Sequence, residues 1–264
     1  MPELAEVEYF RRQWNSGIGK RINRVSVHTQ KRIFRGADVG KMQRVLEGSV
    51  LLYSEARGKR MIFRFSTNAW LGLHLGMTGS LRVEAADFLP AKHDHLVLYQ
   101  PNQVLVFSDP RQFGRVQFHK GEDPPVWWSK LAPSLDSPEF TAETMEGFLK
   151  RHSRLAIKAA LLLQDGFPGV GNWMADEILW RAGLKPRTGA GQIRGDRMQR
   201  LWKMVRWVSR GAMKHMSQNF SDPPRGWLFH ERWKRGGVCP IHRTLLKREI
   251  VGGRTTAWCR RCQK

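Results

Sequence analysis

The chain has 264 residues, of which 41% are hydrophobic, so a packed core is within reach and wholesale disorder is excluded. Lysine and arginine number 45 against 23 aspartate and glutamate, a formal net charge of +22 spread along the whole length, which points to a polyanionic partner such as nucleic acid and not to a basic tail. No apolar run reaches transmembrane length and the opening Met1-Pro2-Glu3-Leu4-Ala5-Glu6 has no apolar signal core, so the expectation is an intracellular, cytoplasmic protein without a membrane partner.

At the start, Leu4, Val7 and Phe10 or Arg11 fit one face of a helix, with Glu3 and Glu6 in its acidic first turn. Short apolar runs then recur at 45–53, 61–66, 70–75, 81–83, 96–99, 104–108 and 115–119, separated by turn signals. Runs of this length and spacing predict an all-β sandwich or barrel over residues 1–120. The proline- and serine-rich stretch 121–140 reads as a linker. Helical periodicity takes over in 141–235. Thr141 with Thr144 caps a helix to about His152, residues 155–164 make a second, and Leu201, Val205, Val208 and Ala212 mark a longer one over about 196–216. From 236 to 264 short β-like runs return. The fold class is therefore α+β and multidomain.

The only cysteines are Cys239, Cys259 and Cys262, an odd number that argues against a disulfide framework. With His242 they form Cys-x2-His and Cys-x2-Cys pairs separated by sixteen residues. Two such turns facing each other close a tetrahedron around zinc, and the intervening 243–258, with Gly252-Gly253 at its centre, has the length of a β-hairpin. A redox role for Cys259 and Cys262 would need a preceding βαβ unit, which is absent. Four protein ligands leave no open position, so one structural zinc ion is expected.

Pro2 follows the initiator methionine, whose removal exposes a secondary amine. An α-amino group is ordinarily unprotonated in part at neutral pH. A secondary amine attacking an aldehydic carbon yields an iminium directly, a cation that drives elimination, and Glu3 is placed next to it to protonate or stabilise a sugar oxygen. Proline at the first position of a helix is the ordinary alternative.

Several segments in order resemble the formamidopyrimidine-DNA glycosylase (Fpg/Nei) family: Pro2-Glu3-Leu4-Ala5-Glu6-Val7-Glu8; Arg57-Gly58-Lys59-Arg60; His74-Leu75-Gly76-Met77-Thr78-Gly79-Ser80-Leu81; Lys92-His93-Asp94-His95; Asp109-Pro110-Arg111-Gln112-Phe113-Gly114; Gly169-Val170-Gly171-Asn172 with Ala175-Asp176-Glu177; and the ending Arg254-Thr255-Thr256-Ala257-Trp258-Cys259-Arg260-Arg261-Cys262-Gln263-Lys264. The resemblance spans nearly the whole chain. It implies an N-terminal β-sandwich carrying an N-terminal helix, then a helix-two-turn-helix domain with a C-terminal β-hairpin zinc finger. It implies a monomeric, nucleoid-associated base-excision repair enzyme, both DNA glycosylase and abasic-site lyase, acting on double-stranded DNA with damaged bases or abasic sites.

By the same resemblance Pro2 is the Schiff-base nucleophile, Glu3 the general acid, Lys59 the lysine of β-elimination, and Arg254 a DNA contact that assists δ-elimination. His93, Arg111, Asn172 and Lys158 resemble phosphate or duplex contacts, while Met77, Arg111 and Phe113 resemble side chains that fill the space left by an everted nucleotide. The glycine-rich turn 169–172 before a helix also suggests backbone N–H groups that hold a phosphate, or an ordinary turn with Asn172 as cap.

The sequence departs from the family pattern at Ala5, at Gln112, at Ser153-Arg154 and at His242 in place of a cysteine. Segment 221–238 is shorter and bulkier than the loop that closes over 8-oxoguanine, carrying Trp227, Phe229, His230 and Trp233. The expectation is that those aromatics form a lid that stacks on any flat ring, giving good activity on formamidopyrimidines or abasic sites and a weaker preference for 8-oxoguanine than a typical member; packing of the aromatics against the helical domain is the alternative. A preference for oxidised pyrimidines or bulky lesions, and a catalytically silent damage-binding protein, are the competing readings. A zinc-ribbon RNA-binding protein would need stacking aromatics in a four-stranded sheet, which the sequence lacks.

Overall fold

The computed structural model describes residues 1–28 and 31–264. The chain divides into two compact units, one of Met1–Pro2 with Glu6–Leu131 and the other of Glu3–Ala5 with Ala132–Lys264.

The first unit is built on two four-stranded antiparallel sheets. Strands β1 (Arg24–Val27), β5 (Ser80–Glu84), β6 (Asp94–Gln100) and β7 (Gln103–Ser108) pair in the order β1-β6-β7-β5, and β2 (Leu51–Arg57), β3 (Arg60–Phe65), β4 (Ala69–His74) and β8 (Arg115–Lys120) in the order β2-β3-β4-β8. Period-two alternation decides what faces the core. Leu96 and Leu98 join Met61, Phe63, Phe65, Leu71 and Leu73 in one buried cluster, together with Val7 and Trp14 near helix α1 (Leu4–Gln13). The alternate residues Val97, Tyr99, Val104 and Val106 make a separate cluster capped by Phe88.

Two expectations fail here. Residues 45–53 are not one strand: Asp38 accepts from Lys41 N and starts helix α2 (Val39–Leu46), and the strand begins only at Leu51. The apolar run crosses that boundary because Leu46 and Leu51 both enter the core from different elements. Nor is 121–140 a bare linker. Helix α3 (Val126–Ser129) places Trp128 over Ile62 and Trp70, and the Trp127 indole lies on Gly72, where a Cβ would come within 2.3 Å of it. This segment covers the outer face of β3 and β4, while Leu135 and Phe140 belong to the core of the second unit.

The second unit is helical. Helices α4 (Ala142–Arg151), α5 (Ile157–Leu161), α6 (Asn172–Ala182) and α7 (Gly195–Met216) surround a core that includes Phe148, Phe167, Ile178, Leu201 and Val205. The Thr141–Thr144 capping box is formed as the sequence indicates. Helix α5 is shorter than 155–164 because Ala156 bridges to Gly189 and the Gln164 side chain turns back to brace the following loop. The chain closes with a hairpin of β9 (Lys247–Val251) and β10 (Arg254–Trp258), in which Val251 pairs with Arg254. Both turn residues, Gly252 and Gly253, take positive φ, as a two-residue hairpin turn requires. No helix among the described residues is long and apolar enough to cross a membrane.

Candidate active site and metal centre

Glu3 is buried, and its carboxylate sits on the N-terminus of α6. Oε2 accepts from Gly171 N (3.0 Å) and Met174 N (3.1 Å), and Oε1 from Trp173 N (3.0 Å). Leu4 N donates to Gly169 O at 3.0 Å, which fixes the chain immediately after Glu3. The glycines have separate reasons. Gly169 takes a φ of 89°, and a Cβ on Gly171 would lie 2.2 Å from Glu3 Cδ. The turn 169–172 therefore holds an anion at a helix start, but that anion is the protein's own carboxylate and not a phosphate. Asn172 does not cap the helix either; its Nδ2 donates to Thr255 O of the hairpin at 2.9 Å.

One helical turn on, Asp176 is buried at the centre of a polar network. Its Oδ1 pairs with Lys158 Nζ. Its Oδ2 accepts from Arg232 Nη2 (2.6 Å), Arg232 Nε (3.0 Å) and Ala257 N (3.2 Å). Lys158 Nζ also donates to Asn172 O at 2.8 Å. Lys158 was expected to contact DNA, and the structure corrects this: the side chain is fully buried, and its ammonium is spent on Asp176 and the first turn of α6. Burial lowers its pKa, with Asp176 opposing the shift. The network joins α5, α6, residue 232 and the hairpin behind Arg254, which is exposed at the start of β10. Sequence reasoning missed Asp176 and Arg232 as functional supports; the i,i+4 spacing from Asn172 to Asp176 was the available signal.

In the first unit, Gly58 and Lys59 form the two-residue turn between β2 and β3, with Gly58 at φ 61°. Lys59 is only 8% exposed. Nearby His74, cross-strand from Arg60, has its pKa pushed down to about 4 by burial, with Arg60, Lys59 and Arg35 adding to the effect. Its Nδ1 lies 3.1 Å from Gly76 N and accepts that proton, which fits a neutral ring.

Met77 and Phe113 are 41% and 42% exposed, on loops tied together by buried Asp109. Asp109 Oδ1 accepts from Thr78 Oγ1 (2.8 Å) and Arg111 N (3.3 Å), and Oδ2 from Gly114 N (2.7 Å). The Arg111 guanidinium rests 4.7 Å over the Phe113 ring. His93 is half-buried beside this node, its carbonyl accepting from Asp109 N at 3.0 Å.

Cys239, His242, Cys259 and Cys262 converge, with their ligand atoms all within 4.8 Å of one another. Cys239 Sγ lies 3.5 Å from Cys262 Sγ and 3.9 Å from His242 Nδ1. Ligands about 2.0–2.3 Å from a shared centre stand at such separations in a tetrahedron, so the donor set fits a metal of zinc's size and softness. Thr244 Oγ1 lies 3.6 Å from Cys259 Sγ and supplies an outer contact of the kind that orients ligands.

Segment 221–238 is not an open aromatic lid. Trp227 is buried, stacked on Trp207 at 5.2 Å and packed over Gly211. The Phe229 ring meets Trp173 edge-on at 5.2 Å, and Phe229 N donates to Glu177 Oε2 at 3.1 Å. The His230 ring lies 2.6 Å from Pro223 O through Nε2. Of the aromatics expected to stack on a base, Trp233 alone stays open, at 58% exposure.

A two-sheet unit followed by a helical unit with a Cys3His hairpin is the architecture of a known class of DNA-repair proteins. Residues 1–116 match the formamidopyrimidine-DNA glycosylase N-terminal domain and residues 131–222 the formamidopyrimidine-DNA glycosylase H2TH domain. A formamidopyrimidine-DNA glycosylase of Burkholderia lata is 35% identical over 279 aligned positions, and one of Bordetella avium 34% over 278, each alignment covering 100% of both chains. Among solved structures, Lactococcus lactis Fpg in complex with abasic-site DNA is similar at a TM-score of 0.86 and 26% identity over 99% of each chain. MutM in complex with DNA containing carbocyclic 8-oxo-G is similar at 0.88 and 27% over 100% of each. The chain belongs to the formamidopyrimidine-DNA glycosylase family.

Proposed function

We propose that this protein is a base-excision repair enzyme, a DNA glycosylase and abasic-site lyase that acts on oxidised or ring-opened bases in duplex DNA with Pro2 as nucleophile. The observation that carries the reading is the seat of Glu3. Three backbone N–H groups hold its carboxylate in one orientation, one peptide bond from the proline. That rigidity suits a group that must meet a sugar oxygen at a fixed place.

In this reading, removal of Met1 frees the Pro2 nitrogen, which bonds to C1′ as the glycosidic bond breaks and the base leaves with a proton. Loss of the amine proton and opening of the sugar ring, with Glu3 as proton donor to the ring oxygen, leave an iminium. The iminium acidifies C2′–H, and loss of that proton expels the 3′ phosphate by β-elimination with Lys59 assisting. A second elimination, assisted by Arg254, expels the 5′ phosphate.

Met77, Arg111 and Phe113 fill the vacated stack, and His93 and Asn172 contact the backbone. A zinc ion on Cys239, His242, Cys259 and Cys262 holds the hairpin's shape and supplies no chemistry. Its support is the convergence of four donors of the right kind. The +22 charge supports a nucleic-acid partner. Borohydride reduction in the presence of abasic-site DNA tests the reading, which expects a covalent complex at residue 2.

A further inference from the structure

Helix α7 keeps one face out of the core. Leu201, Val205, Val208 and Ala212 are buried, whereas Arg200, Lys203, Trp207 and Lys214 share the opposite side and are exposed. The tryptophan is the odd member of that face, 45% exposed among cations. Asp136 pairs with Arg206 and Arg210 at the flank, and no acid pairs with Arg200, Lys203 or Lys214 among the described residues.

Trp207 is fixed from one side only. The Arg181 guanidinium carbon lies 4.1 Å from its ring centre and 5.0 Å from that of Trp227, and the two stacked indoles lie 5.2 Å apart. With Arg181 and Trp227 on opposite faces of Trp207, their separation would approach the sum of their distances to it. The observed 5.0 Å is far shorter, so both sit on the same side and the other face of the indole is open. Arg181 is held in turn by buried Glu177, whose Oε1 accepts from Arg181 Nε at 2.7 Å. The ring is therefore braced before anything lands on it. Its address is also distinct: Arg181 stands at the far end of α6 from Asn172 and the Glu3 seat, about 14 Å along the helix axis.

We infer that this face of α7 docks an acidic segment of a protein partner, with carboxylates on Arg200, Lys203 and Lys214 and one apolar side chain against the open face of Trp207. Charge complementarity selects the acids, and the braced indole selects the apolar residue. Tryptophan and arginine are the side chains on which protein interfaces concentrate their binding energy. A DNA duplex fits this face less well. It offers phosphates to the cations but keeps its bases stacked inward, which leaves the indole at the centre uncovered. An acidic peptide satisfies both. The inference does not depend on the catalytic reading, because it uses no residue of the Glu3 seat.

The test uses two short fluorescent peptides of equal charge, one of aspartates around a central phenylalanine and one with serine in its place. Anisotropy is read with the full-length protein at about 0.15 M salt, where general surface attraction is screened. The phenylalanine peptide should bind saturably and about tenfold more tightly than the serine peptide, the order of one interface anchor. Trp207→Ala should erase that difference while leaving the serine peptide within about twofold. Lys203→Glu with Lys214→Glu should weaken both peptides about tenfold or more. These exposed lysines leave the indole and its brace in place, so their variant is informative even where Trp207→Ala disturbs the helix. Equal affinity for both peptides in the parent protein would mean general attraction to the +22 charge and would overturn the docking face. So would a phenylalanine preference that survives Trp207→Ala, or lysine reversals without effect. Loss of affinity for an undamaged duplex in these variants, with peptide binding unchanged, would make the face a nucleic-acid contact and overturn the inference as well.

Discussion

The Glu3 carboxylate occupies the space that a side chain at residue 171 would need, its Cδ lying 2.2 Å from where a Gly171 Cβ would be. Backbone donors on both sides of that contact hold the acid, so neither partner can give way cheaply. Gly171→Ala should displace Glu3 and lower base excision by about a hundredfold or more, the scale on which misplacing a catalytic group by an ångström is felt. Single-turnover kinetics on a lesion-bearing duplex measures it; activity within a few-fold of the parent protein would show that the seat is not needed.

The hairpin carries Arg254 and is tied to α6 through Ala257 N on Asp176 and Thr255 O on Asn172. If a metal holds its far end, Cys259→Ser should lose both the metal and DNA binding. Metal analysis of the parent protein should find about one zinc per chain. A metal-free preparation with unchanged affinity for DNA would contradict this role.

Glu177 gives a pH signature. Burial raises its pKa to about 7, from the 4.5 ordinary for a glutamate, against the opposing pull of Arg181 and the Phe229 N–H. The folded state therefore binds more protons than the unfolded state between those values, and the contribution of this group to stability falls as pH rises through that window. Glu177→Gln should remove that slope, so the stability difference between variant and parent should favour the variant more at pH 8 than at pH 5. Denaturant titrations at the two pH values read it, and an opposite trend would mean that the Arg181 ion pair dominates.

Two tryptophans of one segment should behave differently. Trp227→Ala removes a core ring packed between Trp207, Trp173 and Gly211 and should cost about 3–5 kcal/mol. Trp233→Ala removes an exposed ring and should change stability by about 0.5 kcal/mol or less. Similar losses in both would mean that Trp233 is structural.

Much of this was legible in the sequence because it depends on local pattern. Short apolar runs between turn signals marked six of the strands nearly in place, the Thr141–Thr144 spacing marked a cap, and Cys-x2-His with Cys-x2-Cys marked the four converging donors. What stayed hidden depends on tertiary context. Nothing local distinguishes a lysine that faces DNA from Lys158, which turns inward because Asp176 waits one helix away. The aromatics of 221–238 look alike in sequence, yet Trp227 finds a slot over Gly211 and Trp233 does not. The turn 169–172 reads as a phosphate site, and only the fold reveals that the anion is Glu3, some 170 residues earlier, held by the N–H groups of 171, 173 and 174.

In the proposed mechanism the proline amine does the chemistry. Borohydride added to the mature protein with abasic-site DNA should trap one covalent complex, and peptide mapping should place the adduct on Pro2. Glu3→Gln should still trap on a preformed abasic site while losing most excision of a damaged base, since an amide cannot donate the same proton and sets an NH2 against backbone N–H groups. An adduct on Lys59, or no adduct on any abasic substrate, would rule out Pro2 as the nucleophile.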